Sequence, residues 1–513
     1  MSWLVSQRQM ARRKQPMTSD RAKRPRMRGS FGQFNWLPLA MAVAIAMSGC
    51  SFAPALNVPT VAPATEQFKE TAPWTKAEPA DNLPREAWWT LYRDAELDAL
   101  QQRLLAHSPD LTAALARYQQ AVAYNTRIRA ALFPTVDAVA DAQRNRQSAQ
   151  KPLRGATSPD LYDDFSLDAQ VNYEVDLWGR IRNQVTSATA SEQAAQADLE
   201  SARLSLQALL ADDYIQLRGL DRENALLEET VTAYAKALSM IRTQHDGGMV
   251  SGLDLARAQT QYDSARSQVS QNQAARALIE HAIAALVGEP ASAFSLPPRR
   301  EAIRLPNVPA GLPSTLLQRR PDIAAAQRRV EAANADIGVA RAAYFPSIML
   351  GGMFGYQSTD AGNIITAPNR FWAIGPSLVL NLFDAGRRRA EVSRTEAVLE
   401  EVTANYRGAA LAAFQQVEDS LAQLKHYRTA LVAERSAADA AQQSLTLSLS
   451  RYRAGGSSYL EVVTSQTAAL QTERSALDLD TRQLRASVQL IRALGGGWSA
   501  PDCAQGACDK TPG

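Results

Sequence analysis

The residues able to do chemistry are few and scattered. Among 513 residues the histidines are His107, His245, His281 and His426, and the cysteines are Cys50, Cys503 and Cys508. There is no His-Glu-x-x-His pair, no Gly-rich phosphate loop and no nucleophile elbow. No histidine stands near the cysteine pair at the C-terminal end, so metal ligation is not indicated there. The expectation is a chain that is not an enzyme and carries no cofactor. Two kinds of thiol chemistry remain. Cys50 follows an apolar run, where a thiol is open to modification. Cys503 and Cys508, in PDCAQGACDK, form a short-loop disulfide in an oxidising compartment or stand as two unpaired surface thiols.

The apolar run over residues 36–47 (WLPLAMAVAIAM) is too short to span a bilayer. Basic residues precede it and small residues follow, the layout of a secretory leader. Residues 1–49 hold nine basic side chains and one acidic one, a charge of +8. With the whole chain at +3, residues 50–513 carry −5. A mature protein of that sign lacks the electrostatic footprint of a nucleic-acid binder. The join Met47-Ser48-Gly49-Cys50 resembles a bacterial lipoprotein lipobox. That resemblance implies cleavage before Cys50 and lipidation of its thiol and new amino terminus. Ser51 rather than Asp after the cysteine implies sorting to the outer membrane. Residues 1–26 are long for such a leader, which places the expected start at Met27.

Larger elements must position whatever the chain does. Residues 51–86 carry Pro54, Pro59, Pro63, Pro73, Pro79 and Pro84, an extended tether. After Trp88-Trp89, Leu97, Leu100 and Leu104 mark a helix, and Ser108-Pro109-Asp110 starts another. No proline falls between Pro159 and Pro290 or between Pro376 and Pro501. In these windows Ala, Gln, Glu, Arg and Leu predict helices over residues 180–244 and 387–453, each about 100 Å long at 1.5 Å per residue. Apolar residues such as Leu206, Leu210, Tyr214 and Leu217 recur at three and four. Glycine-bearing breaks end both runs, at Gly247, Gly248 and Gly252 and at Gly455 and Gly456, and helices restart over residues 253–287 and 459–494.

Between helices the period becomes two. Over residues 165–177, Phe165, Leu167, Ala169, Val171, Tyr173, Val175 and Leu177 alternate with polar residues, predicting a two-faced strand. Residues 135–145, 347–358 and 371–382 are the other candidates. Phe133-Pro134 matches Phe345-Pro346, and Gly248 to Asp254 matches Gly455 to Glu461. Offsets of about 205–212 residues indicate an internal duplication. The expected organisation is a leader over 1–49, a tether over 50–86, repeats over 87–298 and 299–498, and a tail over 499–513. Four strands of this length match membrane-spanning strands but cannot close a barrel, and an open sheet in lipid leaves unpaired edges. If these strands enter a membrane, several chains must share one barrel.

Specific motifs then carry a resemblance. The run from Leu312 to Ile323 (LPSTLLQRRPDI), then Ala332-Ala333-Asn334-Ala335-Asp336-Ile337-Gly338 and Tyr344-Phe345-Pro346, resembles the outer-membrane efflux lipoproteins, the NodT-like branch of the TolC family. Asp176-Leu177-Trp178-Gly179-Arg180 and Arg451-Tyr452-Arg453-Ala454-Gly455 also match. The resemblance covers roughly residues 54–495. It implies a homotrimer in which each chain gives four strands to a twelve-stranded β-barrel, continued by an α-helical periplasmic tunnel. It implies a periplasmic adaptor and an inner-membrane pump, commonly of the resistance-nodulation-division class. The entrance is then expected at the hairpin turns, with Tyr459, Leu460 and Glu461 lining it and Gly247, Gly248, Gly252, Gly455 and Gly456 receiving the adaptor. Thr464 stands where the family often has a second acid. Plainer readings stay open: Glu461 as a helix N-terminal acid, the glycines as simple helix stops. Two alternatives share the sequence, a conduit for protein secretion and a coiled-coil periplasmic lipoprotein without a channel.

Overall fold

The computed structural model describes residues 51–57, 87–151, 155, 157–306 and 320–496. The leader, Cys50, most of the tether, and Cys503 and Cys508 lie outside the described residues. The chain separates into Met1–Ser48 and Gly49–Gly513, and every described residue belongs to the second unit.

A 3-10 turn at Trp88–Tyr92 leads into α1 (Ala95–His107) and α2 (Pro109–Arg129). Asp94 caps α1 by accepting from the Glu96 and Leu97 amides at 3.0 and 3.2 Å. Ser108 and Pro109 start α2 as the sequence indicates. Then come β1 (Thr135–Arg146), β2 (Leu161–Glu174), α3 (Arg180–Asp246), α4 (Gly252–Leu286), α5 (Pro321–Ala342), β3 (Ser347–Ser358), β4 (Arg370–Val379), α6 (Arg387–Arg453) and α7 (Tyr459–Ala493). The strands form one antiparallel sheet in the order β1-β2-β3-β4.

The duplication is visible in the backbone. Helices α3 and α6 are both 67 residues long and α4 and α7 both 35, all displaced by 207 positions. The same displacement relates the positive-φ glycines Gly179 and Gly386, Gly248 and Gly455, and Gly288 and Gly495. At the hairpin tips the Gly248 amide donates to the His245 carbonyl and the Met249 amide to that of Gln244, both at 2.8 Å. The Gly455 and Gly456 amides repeat this with Tyr452 and Arg451. These are Schellman ends, and the left-handed backbone they need is why glycine sits there.

Strand β2 differs from its expected span. It begins at Leu161, not 165, and ends at Glu174, not 177. Pairing with β1 extends the hairpin to Arg146 opposite Leu161. At the other end Asp176 leaves the ladder to cap α3, accepting from the Ile181 and Arg182 amides at 3.2 and 2.9 Å. The alternation runs past the strand because Asp176 suits a helix N-terminus as well as a polar face. Likewise β4 stops at Val379, and Asp384 accepts from the Arg388 amide at the start of α6.

The main core joins both halves. Trp88, Tyr92, Leu97 and Leu100 pack with Leu210, Tyr214, Leu217, Ile283, Ile323, Val417, Leu421 and Leu490. The Tyr92 and Ser487 hydroxyls lie 2.7 Å apart, linking the chain's early turn to α7. Gly219 does not break α3. A Cβ there would lie 2.6 Å from Thr481 Oγ1, so glycine admits the close approach of α7. Arg320, just before α5, binds Asp322, Gln416 Oε1 at 2.8 Å and the Ala493 carbonyl at 3.1 Å, fastening three helices.

Candidate functional site

The sheet has two chemically different faces, and the register shows which side chains share them. Residues directly opposite each other project to the same side. Leu167 lies opposite Ala140 and Tyr356, Ala169 opposite Ala138 and Phe354, and Val171 opposite Val136 and Gly352. Phe354 and Gly352 in turn oppose Trp372 and Ile374. One face is therefore apolar across all four strands. The other carries Asp137, Asp141, Asp168, Gln170, Asn172 and Gln357, with Gly351, Gly375 and Ser377. Both faces stand open in the single chain: Ile374 is 72% exposed on the apolar face, and Asp137, Asp141, Asn172 and Gln357 are exposed on the polar one, although Asp168 is buried. A water-soluble sheet would cover its apolar face. Among the described residues the outer edges of β1 and β4 pair with no further strand. Such a sheet suits lipid on one side and water on the other, once its edges are closed by other strands.

The second site is formed by the two hairpin tips. Tyr459, expected to line an opening, is 3% exposed. It packs with Leu238, Ile241, Ala258 and Val462, its ring 5.5 Å from that of Tyr452. Burial, then Tyr452 and Asp254, pushes its hydroxyl up to about 12. Within the single chain Tyr459 is thus a packing residue between the hairpins. The cause is its place as first residue of α7, which turns the ring inward onto α3 and α4. Leu460 is 48% exposed, and Glu461 and Thr464 are exposed too. The Thr464 hydroxyl is taken up locally, donating to the Leu460 carbonyl at 2.9 Å.

All five tip glycines are exposed, but only Gly248 and Gly455 have positive φ. Among the described residues a Cβ at either would meet nothing within 4 Å, so these leave the space beside both turns open. Met249 and Leu253 stand exposed on the first tip. Sequence reasoning missed the bond between tips: Tyr452 Oη donates to Gln244 Oε1 at 3.1 Å, joining α6 to α3. Tyr452 lay inside a quoted motif, yet nothing local marks its partner 208 positions away.

Ion pairs hold the helices between sheet and tips. Arg218 donates to Asp221 at 2.6 Å, to Glu96 at 2.5 Å and to the Pro297 carbonyl at 2.8 Å. Arg276 reaches the other Asp221 oxygen at 2.6 Å. Arg485 of α7 grips Asp212 of α3 at 3.1 and 2.8 Å. The neighbouring Asp213 carboxyl is pushed up to about 6, first by burial, then by Asp212, against the pull of Arg485. Between about pH 4 and pH 6 the folded chain therefore holds a proton that the unfolded chain has lost, so stability falls as pH rises through that window. An Asp213→Asn variant is expected to lose this slope. Thermal midpoints of the detergent-solubilised protein at about pH 5 and about pH 8 would check it; an unchanged slope would reject the assignment to Asp213.

Among the described residues no group of His, Cys, Asp and Glu could hold a metal ion. No described helix is long and apolar enough to cross a membrane. The sheet, apolar on one face and polar on the other with open edges, is the element suited to a membrane. The class so defined is a barrel shared among chains and continued by a helical tunnel.

Comparison with known proteins gives the family. The model of the outer membrane efflux protein family matches residues 100–289 and 312–496. The chain is 35% identical over 419 residues to the pyoverdine export outer membrane protein OpmQ of Pseudomonas aeruginosa, covering 80% of this chain and 88% of that protein. It is 32% identical to the toluene efflux pump outer membrane protein TtgC of Pseudomonas putida, covering 90% and 95%. The solved outer-membrane channel OprN superposes with a TM-score of 0.80 at 29% identity, covering 88% of this chain and all of that one. The chain belongs to the outer membrane efflux protein family. It is an outer-membrane efflux channel, trimeric in architecture, with a β-barrel in the membrane and a large helical tunnel in the periplasm. Members of the family are channel proteins, and relatives are named as outer membrane proteins of efflux pumps.

Proposed function

We propose that the chain is the outer-membrane part of a tripartite system, a passive gated conduit for small molecules delivered by a resistance-nodulation-division pump through a periplasmic adaptor. The two-faced, edge-open sheet carries this reading. It offers a continuous apolar surface to lipid and a polar one to a lumen. The relatives' names, one for pyoverdine export and one for toluene efflux, support a conduit whose cargo is chosen by the pump. No reaction is assigned to it and no nucleic acid is a partner. The two repeats are placed at 87–298 and 299–498. Cys50 is the lipid attachment site, and Cys503 with Cys508 a surface disulfide.

The gate is assigned to the tips. Leu460 and Glu461 are exposed beside the second turn and would form, in a trimer, an apolar and an acidic ring. Tyr459 serves as the buried fulcrum behind them. Separation of the tips would break the Tyr452–Gln244 bond. The adaptor takes the open space beside Gly248 and Gly455, with Gly247, Gly252 and Gly456 on the same exposed turns.

Two measurements test the reading. Deleting the gene should raise accumulation of drugs or solvents, and the wild-type gene should restore efflux; unaltered accumulation across a broad panel would remove the efflux role. In planar bilayers a Leu460→Ser, Glu461→Gln trimer should leak more in its resting state. Its preference for potassium over chloride should fall roughly twofold or more, as three focused charges are lost. Unchanged closure and selectivity would place the gate elsewhere.

A further inference from the structure

The apolar face of the sheet does not stay apolar to its end. All four strands join helices at one end, so residues 146, 161, 358 and 370 mark the other. Along β1 the side chains of that face are Val136, Ala138, Ala140 and Ala142, and the same row then ends in Arg144 and Arg146. Along β4 the row runs from Leu378 through Ile374 and Trp372 to Arg370, which lies opposite Tyr356. Each edge strand finishes its apolar row in arginine, at the end away from the helices.

All three arginines are exposed. Asp163 faces Arg144 across the ladder, but at 3.8 Å, with side chains 45% and 70% exposed, the pair is weak. Among the described residues Arg146 and Arg370 have no ion pair. Nearby acids are engaged elsewhere: Asp164 accepts from Gln357 Nε2 and Asp360 from the Gly362 amide, both at 3.0 Å. Tyr356 and Trp372, beside Arg370, are the aromatic types that favour a membrane–water interface. Closing the barrel brings the arginines together. In the trimer the open edge of β4 meets that of β1 in the next copy, and the strand directions make the pairing antiparallel. Strand β4 has 10 residues and β1 has 12. Pairing all of β4 while keeping like faces together leaves two registers, which set Arg370 opposite Arg144 or opposite Arg146 of the next copy. Either way three guanidinium groups meet at one seam, and directly opposed like charges destabilise a sheet until an anion lies between them.

We infer that each subunit seam binds a phosphate group of lipopolysaccharide, the phosphorylated glycolipid of the outer leaflet, between Arg370 of one copy and Arg144 and Arg146 of the next. The inference rests on the reading that the apolar face meets lipid. The helices occupy the periplasm, so the strand ends away from them reach the outer leaflet. Guanidinium forks match phosphate oxygens with paired, charge-assisted hydrogen bonds. The phosphate monoesters of the glycolipid carry more charge than the diester of a phospholipid, which suits a seam of three cations. Arginine stems lie along apolar surface while their heads reach the headgroup level. Because the site needs two copies, the lipid binds the trimer rather than the lone chain and staples it at three seams.

The test uses full-length trimer purified in mild detergent and freed of bound lipid, with purified lipopolysaccharide as the probe. Native trimer should bind it and unfold at a higher temperature in its presence. A trimer carrying Arg146→Gln and Arg370→Gln should bind it roughly tenfold more weakly, the effect of losing one charge-assisted hydrogen bond at each seam. Lipopolysaccharide stripped of its phosphates should show the same loss on native protein, a result independent of how the variant assembles. Equal binding by native and variant trimers, or of intact and dephosphorylated lipid, overturns the site and leaves the arginines as a solvated rim only. Phosphatidylglycerol bound as tightly as lipopolysaccharide overturns the choice of lipid. Failure of the underlying reading looks different. If the apolar face does not meet lipid, Ile374→Arg, mid-strand on that face, assembles normally; if Ile374→Arg blocks assembly while the double variant binds like native, only the seam site falls.

Discussion

An Arg218→Met variant is expected to lose about 3 kcal/mol of stability, the lower end of what removing one partner of a buried ion pair costs. The Arg218 side chain is 3% exposed and that of Asp221 1%. Water cannot replace the lost guanidinium. Asp221 would keep Arg276 at 2.6 Å and the Arg299 amide at 3.1 Å, which is why the loss stays at the lower end. Glu96 would lose its shortest donor, and the Pro297 carbonyl its partner at 2.8 Å. The control is Arg300→Met. Arg300 meets Glu229 at 3.2 Å, but both side chains are mostly exposed, so its removal should change nothing measurable. Thermal unfolding of the purified trimer would compare them. Equal midpoints for the two variants would show that the Arg218 cluster is not the clamp it resembles.

The second large effect belongs to the sheet. Ile374 stands mid-strand in β4, 72% exposed on the apolar face. Ile374→Arg places a charge toward lipid, at a cost of about 2–4 kcal/mol per chain near the bilayer midplane. Three chains share the penalty in one trimer, so heat-resistant trimers should largely disappear from outer-membrane fractions. The neighbouring Ala373→Arg projects to the opposite face. It should assemble normally and shift conductance toward anions, since its charge enters the lumen. If Ala373→Arg blocked assembly and Ile374→Arg did not, the faces would be assigned the wrong way round.

These variants differ in how far the sequence foretells them. The polar face of β2 is legible from its alternation, and Ala373 and Ile374 lie in a segment recognised as a strand. The partner of each strand is not legible. The register that sets Gly352, the partner of Ile374, opposite Val171 joins residues 181 positions apart. The Arg218 cluster left no signal: Glu96, Asp221, Arg276 and Arg299 are ordinary surface residue types until folding brings them together. Tyr459 shows the limit from the other side. Its place in a motif suggested that it lines the entrance, and side-chain direction at the first turn of α7 depends on how the two hairpins pack.

By itself the sequence determined what local physics can determine. Unbroken runs of helix formers set the 67-residue helices, glycines needing left-handed backbone set their ends, and the repeated order exposed the duplication. Strand count and length already required more than one chain if the strands enter a membrane. The tertiary structure alone decided which side chains of the four strands share a face, and that Tyr459 packs while Leu460 is exposed. The reason is the range of the forces. Helix caps and turns join residues a few positions apart, so periodicity records them. Strand register, buried ion pairs and aromatic stacks join residues that only the folded chain makes neighbours.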